Sequence, residues 1–261
     1  MNRGVGMGTD TGTDDLYQEF YKYVQKEDIA HAVVLLSGGI DSTTCYTLAR
    51  DALGTGCVTA LSVSYGQNHE TRELAAATKV INWFGEYGAY AHHEHIRLPM
   101  GVGGLTDEEL EIPDKSYAEL PQGPSPTYVP FRNGVLLAVA ASYADSIAKK
   151  IHPQAKFVVM YGAHMDDAAN YAYPDCTGPF ISAMRSAIAI GSYARGMLYA
   201  PFEGVDKAAV VRMGYLLDAP LYLTWSCYRG GVNHCGTCPT CISRKDAFKD
   251  AGISDPTNYE A

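Results

Sequence analysis

Four of the seven cysteines fall within fifteen residues: Cys227, Cys235, Cys238 and Cys241, with seven, two and two residues between them. Four thiolates are what a tetrahedral structural zinc requires, and a Cys-x-x-Cys pair wraps one side of the ion. With sulfur in every coordination position, none is left for water or substrate, so the metal is expected to be structural. Gly236 loosens the turn between ligands, Cys241 can open the helix that follows, and His234 adjoins Cys235 too closely to replace a ligand without crowding. The remaining cysteines, Cys45, Cys57 and Cys176, are scattered. The first residues lack the apolar stretch of a secretory signal, so a cytoplasmic chain is the default. In a reducing cytosol clustered cysteines are metal ligands rather than disulfides.

A second group able to do chemistry is Ser37-Gly38-Gly39-Ile40-Asp41-Ser42, set between an apolar run and a helical stretch. Unpaired N–H groups and the positive end of the helix dipole favour a phosphate at such a place. The two glycines allow close backbone approach and positive φ, and Ser37, Ser42 and Thr43 add hydroxyls. Asp41 is repulsive to a phosphate unless it caps the helix or faces Mg²⁺. The string is not a Walker A loop, because no Gly-Lys-Ser/Thr follows at the required spacing. Other candidates are single residues. Asp166 and Asp167 end a strand; Arg132 opens a helix and suits two-point binding of a carboxylate or phosphate; Lys207 opens another helix within reach of a phosphate. Tyr173-Pro174-Asp175-Cys176 reads alone as a turn. His92, His93 and His95 look like a metal cluster, but 93 and 95 share one strand face while 92 points away.

These groups need a frame. Residues 31–36 form a continuous apolar run, the mark of a parallel strand buried on both faces. Further strands are predicted at 57–63, 89–98, 156–162 and 197–202. Helices are predicted at 16–27, 42–53, 69–84, 131–150, 178–190 and 206–218. Alternation of this kind gives an α/β doubly wound parallel sheet. Residues 1–15 read as a disordered tail, 16–220 as the nucleotide-handling domain, and 221–261 as a zinc-binding segment packed on it. Residues 100–127 read as a long irregular insertion.

Lysine and arginine are outnumbered by acids, 20 to 29, for a net charge of −9. That balance argues against stable nucleic-acid binding and for small-molecule substrates. No apolar run is long enough to cross a membrane.

Taken together, the quoted strings resemble a known family. Ser37 to Thr44, Ser64-Tyr65-Gly66-Gln67-Asn68-His69 with Glu73-Leu74, Tyr128-Val129-Pro130-Phe131-Arg132-Asn133, Tyr173 to Cys176, and Leu223-Thr224-Trp225-Ser226-Cys227-Tyr228 running into the last three cysteines are similar in order and spacing to the 7-cyano-7-deazaguanine synthases. Those enzymes belong to the PP-loop ATP pyrophosphatase superfamily. The resemblance covers roughly residues 30–260. It implies that ATP with Mg²⁺ adenylates 7-carboxy-7-deazaguanine, that ammonia displaces AMP to give the amide, and that a second ATP drives the amide to the nitrile. It implies ATP phosphates on Leu36, Ser37, Gly38, Gly39, Ile40, Asp41, Ser42, Thr43 and Thr44, zinc on the four cysteines, and a homodimer. Arg132, Asp166, Tyr173 and Asp175 are expected to meet the deazaguanine and its carboxylate, with Asp41 and Lys207 serving catalysis. Three departures stand out. Phe131 replaces the family's glycine in Pro-Gly-Arg-Asn; Thr177 replaces an arginine after Pro-Asp-Cys; Asp166 to Pro174 replaces Glu-Asp followed by Ser-Gly-Tyr-Pro. Loss of a cation near the substrate suggests as alternatives a ligase that stops at 7-amido-7-deazaguanine for nucleic-acid modification, or a non-catalytic zinc-bearing binding module.

Overall fold

A computed structural model describes residues 11–67, 69–86, 91–98, 112–120 and 123–260. Among these residues five parallel strands form one sheet: β1 (Ile29–Leu35), β2 (Val58–Ser64), β3 (His92–Arg97), β4 (Lys156–Met160) and β5 (Gly196–Tyr199), in the order β3-β2-β1-β4-β5. The order reverses at β1, and β1 precedes the serine–glycine loop. A doubly wound sheet opens its ligand crevice at that switch point, beyond the carboxyl ends of the strands.

Among the described residues eight α-helices accompany the strands: α1 (Thr11–Glu27), α2 (Ile40–Leu53), α3 (Glu70–Glu86), α4 (Arg132–Ile151), α5 (Met165–Ala168), α6 (Gly178–Gly191), α7 (Lys207–Leu216) and α8 (Pro239–Asp250). Alternate residues of β1 feed two separate cores. Ala32 and Val34 pack with α1, α2, α3, α7 and α8; Val33 packs with α4 and α6. This two-sided burial is why the strand sequences are continuously apolar.

The predicted elements are present, with ends displaced by a few residues. One expectation is corrected: residues 11–15, assigned to a disordered tail, form the first turn of α1. The rest of that tail lies outside the described residues. Of the insertion, residues 112–120 and 123–127 carry a single 3-10 turn at Tyr117–Glu119, and the remainder lies outside the described residues. The histidines of β3 bond to hydroxyls on β2: His92 to Thr59 at 3.0 Å, His93 to Ser62 and His95 to Ser64 at 2.8 Å. They gather no metal site.

Phe131 precedes α4 with φ 56°, left-handed backbone that a phenylalanine adopts at a cost. Its ring stands edge-on to Phe180 at 5.8 Å. A Cβ on Gly134 would lie 2.3 Å from that ring. The two positions are therefore coupled. Gly134→Ala alone is expected to destabilise by about 1 kcal/mol, because the ring must leave Phe180. In a Phe131→Gly background the same change should stabilise by about 1 kcal/mol through helix propensity. Thermal melts of the four variants check this reversal of sign.

Candidate active site and metal centre

A cleft of about 270 Å³ opens over the carboxyl ends of β1, β2 and β4. The serine–glycine loop forms its floor. Gly38 sits at φ 83°, and a Cβ there would lie 2.6 Å from the Ala77 nitrogen and 2.8 Å from the Glu73 oxygen. The approach of α3 requires this glycine. Gly39 caps α2 in extended conformation and lines the cleft. Ser37 and Ser42 share a hydroxyl contact of 3.1 Å, and Ser42 Oγ donates to the Gly39 oxygen at 3.2 Å. Leu36, Ser37, Gly39, Ile40, Asp41 and Ser42 line the cleft. Thr43 and Thr44 do not: both are fully buried in the body of α2, and Thr44 packs against α7 at Gly214. Helical periodicity turns their side chains away from the crevice.

Lys207, the first residue of α7, reaches across to Asp41. Its Nζ donates to Asp41 Oδ2 at 2.9 Å and lies 3.3 Å from His164 Nε2. Asp41 caps nothing. Burial pushes its carboxyl up, but Lys207 and His164 outweigh burial and hold it below its ordinary value. Burial works against the Lys207 charge too, yet Asp41 and Asp167 raise its pKa. Asp41 Oδ1 is buried and accepts no hydrogen bond. A buried carboxylate oxygen without a hydrogen-bond donor on the cleft floor suits a hard cation such as Mg²⁺.

The other end of the cleft is walled by phenols. Tyr173 Oη meets Thr127 Oγ1 at 2.6 Å and Tyr117 Oη at 3.2 Å. Burial raises Tyr117 and Tyr228 well above the usual phenol range, so both stay neutral. Arg132 donates to Tyr65 Oη at 3.1 Å. Glu73 is pinned by Gln67 Nε2 at 3.0 Å and His69 Nε2 at 3.3 Å. Burial alone would push its carboxyl up; His69, Gln67 and Arg132 bring it below its ordinary value.

Arg132, Tyr173, Asp41 and Lys207 thus meet in one cleft. Asp166 and Asp175 do not line it. Asp166 Oδ2 accepts the Lys207 backbone N–H at 2.9 Å, fixing the start of α7. Asp175 Oδ2 accepts the Asn133 N–H at 2.9 Å, fixing the start of α4. Each supports a neighbour that faces the cleft. The residue pointing inward is Asp167. The sequence offers it beside Asp166 as a strand-end candidate but assigns it no role, and His164, Tyr117 and Tyr228 are not singled out. Tyr228 lay within a quoted string, whereas nothing in the sequence singles out Tyr117.

The four cysteine sulfurs lie within 4.8 Å of one another, and no other such group of ligands occurs among the described residues. The Cys235–Cys241 separation is 3.9 Å, close to the tetrahedral edge of about 3.8 Å expected for Zn–S bonds of about 2.3 Å. Backbone N–H groups of Cys235 and Cys238 point at Cys227 and Cys235 sulfurs, at 3.5 and 3.3 Å. Four thiols this close cannot all ionise without a cation, so the donor set fits a closed metal site. The cluster is joined to the cleft through Trp225, whose N–H donates to the Gly38 oxygen at 2.9 Å. Arg244, fully buried on α8, grips the same stretch through Thr224 Oγ1, Ser226 Oγ and the Leu221 oxygen.

The family described as "Queuosine biosynthesis protein QueC" matches residues 31–252. The chain belongs to the QueC family. It is 37% identical over 234 residues to the 7-cyano-7-deazaguanine synthase of Thermoplasma acidophilum, covering 88% of this chain and 92% of that one. It is 36% identical over 235 residues to the enzyme of the same name from Porphyromonas gingivalis, covering 88% and 97%. Among solved structures, NMN synthetase from Francisella tularensis superposes with a TM-score of 0.46 at 15% identity, over 95% of this chain and 88% of that one; at that distance the likeness carries no functional argument. The QueC match ends at residue 252, so it takes in all four cysteines as well as the loop. No helix among the described residues is long and apolar enough to cross a membrane.

Proposed function

We propose that the chain converts 7-carboxy-7-deazaguanine and ammonia to 7-cyano-7-deazaguanine at the expense of ATP. The observation that carries the reading is one cleft with two unlike ends. A phosphate-binding loop and Lys207 lie at one end, and Arg132 and a wall of tyrosines at the other. A carboxylate is a poor electrophile, and transfer of an adenylyl group gives it a good leaving group. The loop N–H groups and Lys207 hold the phosphates. Arg132 suits the substrate carboxylate, and the phenol rings suit the faces of a flat heterocycle. Asp41 would hold Mg²⁺, which neutralises triphosphate charge. Cys227, Cys235, Cys238 and Cys241 would hold a structural Zn²⁺. Residues 221–261 are read as a zinc-bearing segment of the same unit, and the active protein as a cytoplasmic homodimer.

Mass spectrometry of products from 7-carboxy-7-deazaguanine, ATP, Mg²⁺ and ammonium tests the proposal. The nitrile is the expected product. Amide alone would mean that the second activation is missing, and no acid-dependent consumption of ATP would overturn the reading.

A further inference from the structure

The acids on the cleft wall differ in what already occupies them. Asp41 is engaged by Lys207, and Glu73 by Gln67 and His69. The Asp167 carboxylate accepts no hydrogen bond from any described residue; His164 Nε2 lies 3.4 Å from its Oδ2, and its charge is felt by Lys207. That same imidazole nitrogen lies 3.3 Å from Lys207 Nζ and 3.8 Å from Asp41 Oδ1. Asp167 therefore borders the phosphate end. Its charge is also felt by Tyr117 and Tyr228 at the other end. The acyl carbon of an adenylated acid must lie at such a junction, between the phosphorus and the ring.

Resting on the reading above, we propose that Asp167 binds the ammonium ion and removes its proton, delivering ammonia to the acyl adenylate. Ammonium carries no lone pair, so a base must act before nitrogen can attack. One N–H proton passes to a carboxylate oxygen of Asp167. The nitrogen lone pair forms the C–N bond; the C–O bond to AMP breaks, and its electron pair leaves on the phosphate oxygen. The nitrogen sheds its second proton to the departing phosphate or to solvent. His164 holds the Asp167 carboxylate from the side away from the cleft as a positioning residue; it is itself 2% exposed and does not line the cleft.

Asp167→Asn keeps the shape of the side chain and removes the base. Three readouts on the purified full chain separate the steps. Acid-dependent exchange of pyrophosphate into ATP reports adenylation and should stay within about threefold of the parent. Amide formation from ammonium should fall by about 100-fold or more, the usual worth of a positioned base. Hydroxylamine is largely unprotonated at neutral pH and needs no base, so hydroxamate formation should persist in the variant. Amide formation at the parental rate would overturn the proposal. So would equal loss of exchange and hydroxamate, which would make Asp167 a ligand for ATP or the acid. Absence of acid-dependent exchange in the parent would instead mean that the functional reading itself has failed.

Discussion

Lys207→Met is expected to lower acid-dependent turnover by about 100- to 1000-fold, the range seen when a preorganised charge facing a reacting oxyanion is removed. The side chain is 15% exposed, and Nζ carries three protons. One is spent on Asp41 and a second faces His164, which leaves a third for the cleft that Lys207 lines. Loss of the lysine also strands Asp41. Breaking a fully buried pair costs about 3–5 kcal/mol, and the 24% exposure of Asp41 reduces the expectation to about 1–3 kcal/mol. The pH dependence tells the two effects apart. In the parent the Asp41 carboxyl is held below its ordinary value. Its contribution to stability is therefore present above the ordinary carboxylate range and is lost as pH falls through the depressed value. In the variant, burial acts with less opposition and shifts the same group upward, so its penalty lies at neutral pH and fades on acidification. The gap in Tm between parent and variant should therefore be widest near pH 7 and narrow toward pH 4. A gap that is constant with pH would show that the pair adds nothing to stability, and parental turnover would remove Lys207 from catalysis.

The reading from sequence was strongest where function is local in the chain. The loop from Leu36 to Ser42 and the four cysteines are contiguous or nearly so, and their chemistry follows from type and spacing. It is least direct where one residue of offset decides direction. Asp166 and Asp167 are adjacent and chemically identical, yet one accepts the first N–H of α7 and the other lines the cleft. Thr43 and Thr44 continue the phosphate string but rotate with α2 into the core. Asp175 follows Tyr173 by two positions, and only Tyr173 faces the cleft. The choice depends on where α4 and α7 begin in space, and no local pattern encodes that. Phe131 shows the converse. Its departure from the family glycine was legible, but its physical meaning, a left-handed cap covered by its own ring, needed the backbone.

Cys238→Ser, or removal of metal by a chelator, is expected to lower Tm by roughly 10 °C, as a loss of about 3–5 kcal/mol would in a chain of this size. The free energy of zinc binding in isolated peptides, about 10–16 kcal/mol, overstates the effect here, because Arg244 and the packing of α8 on α7 hold the segment independently of the metal. The damage should concentrate between residues 226 and 241 and appear there as lost amide protection. Its functional reach runs through one hydrogen bond, from the Trp225 N–H to the Gly38 oxygen. Gly38 is the pivot of the phosphate loop and has no slack on its other side, where α3 touches it. A displaced Trp225 therefore frees the loop from one direction only, and ATP binding should weaken before the tyrosine end is disturbed. The expected pattern in the serine variant is a KM for ATP raised about tenfold with a smaller change in KM for the acid, the signature of about 1.4 kcal/mol lost at the phosphate end. An unchanged KM for ATP alongside a collapsed Tm would confine the cysteine cluster to stability and break its link to the loop.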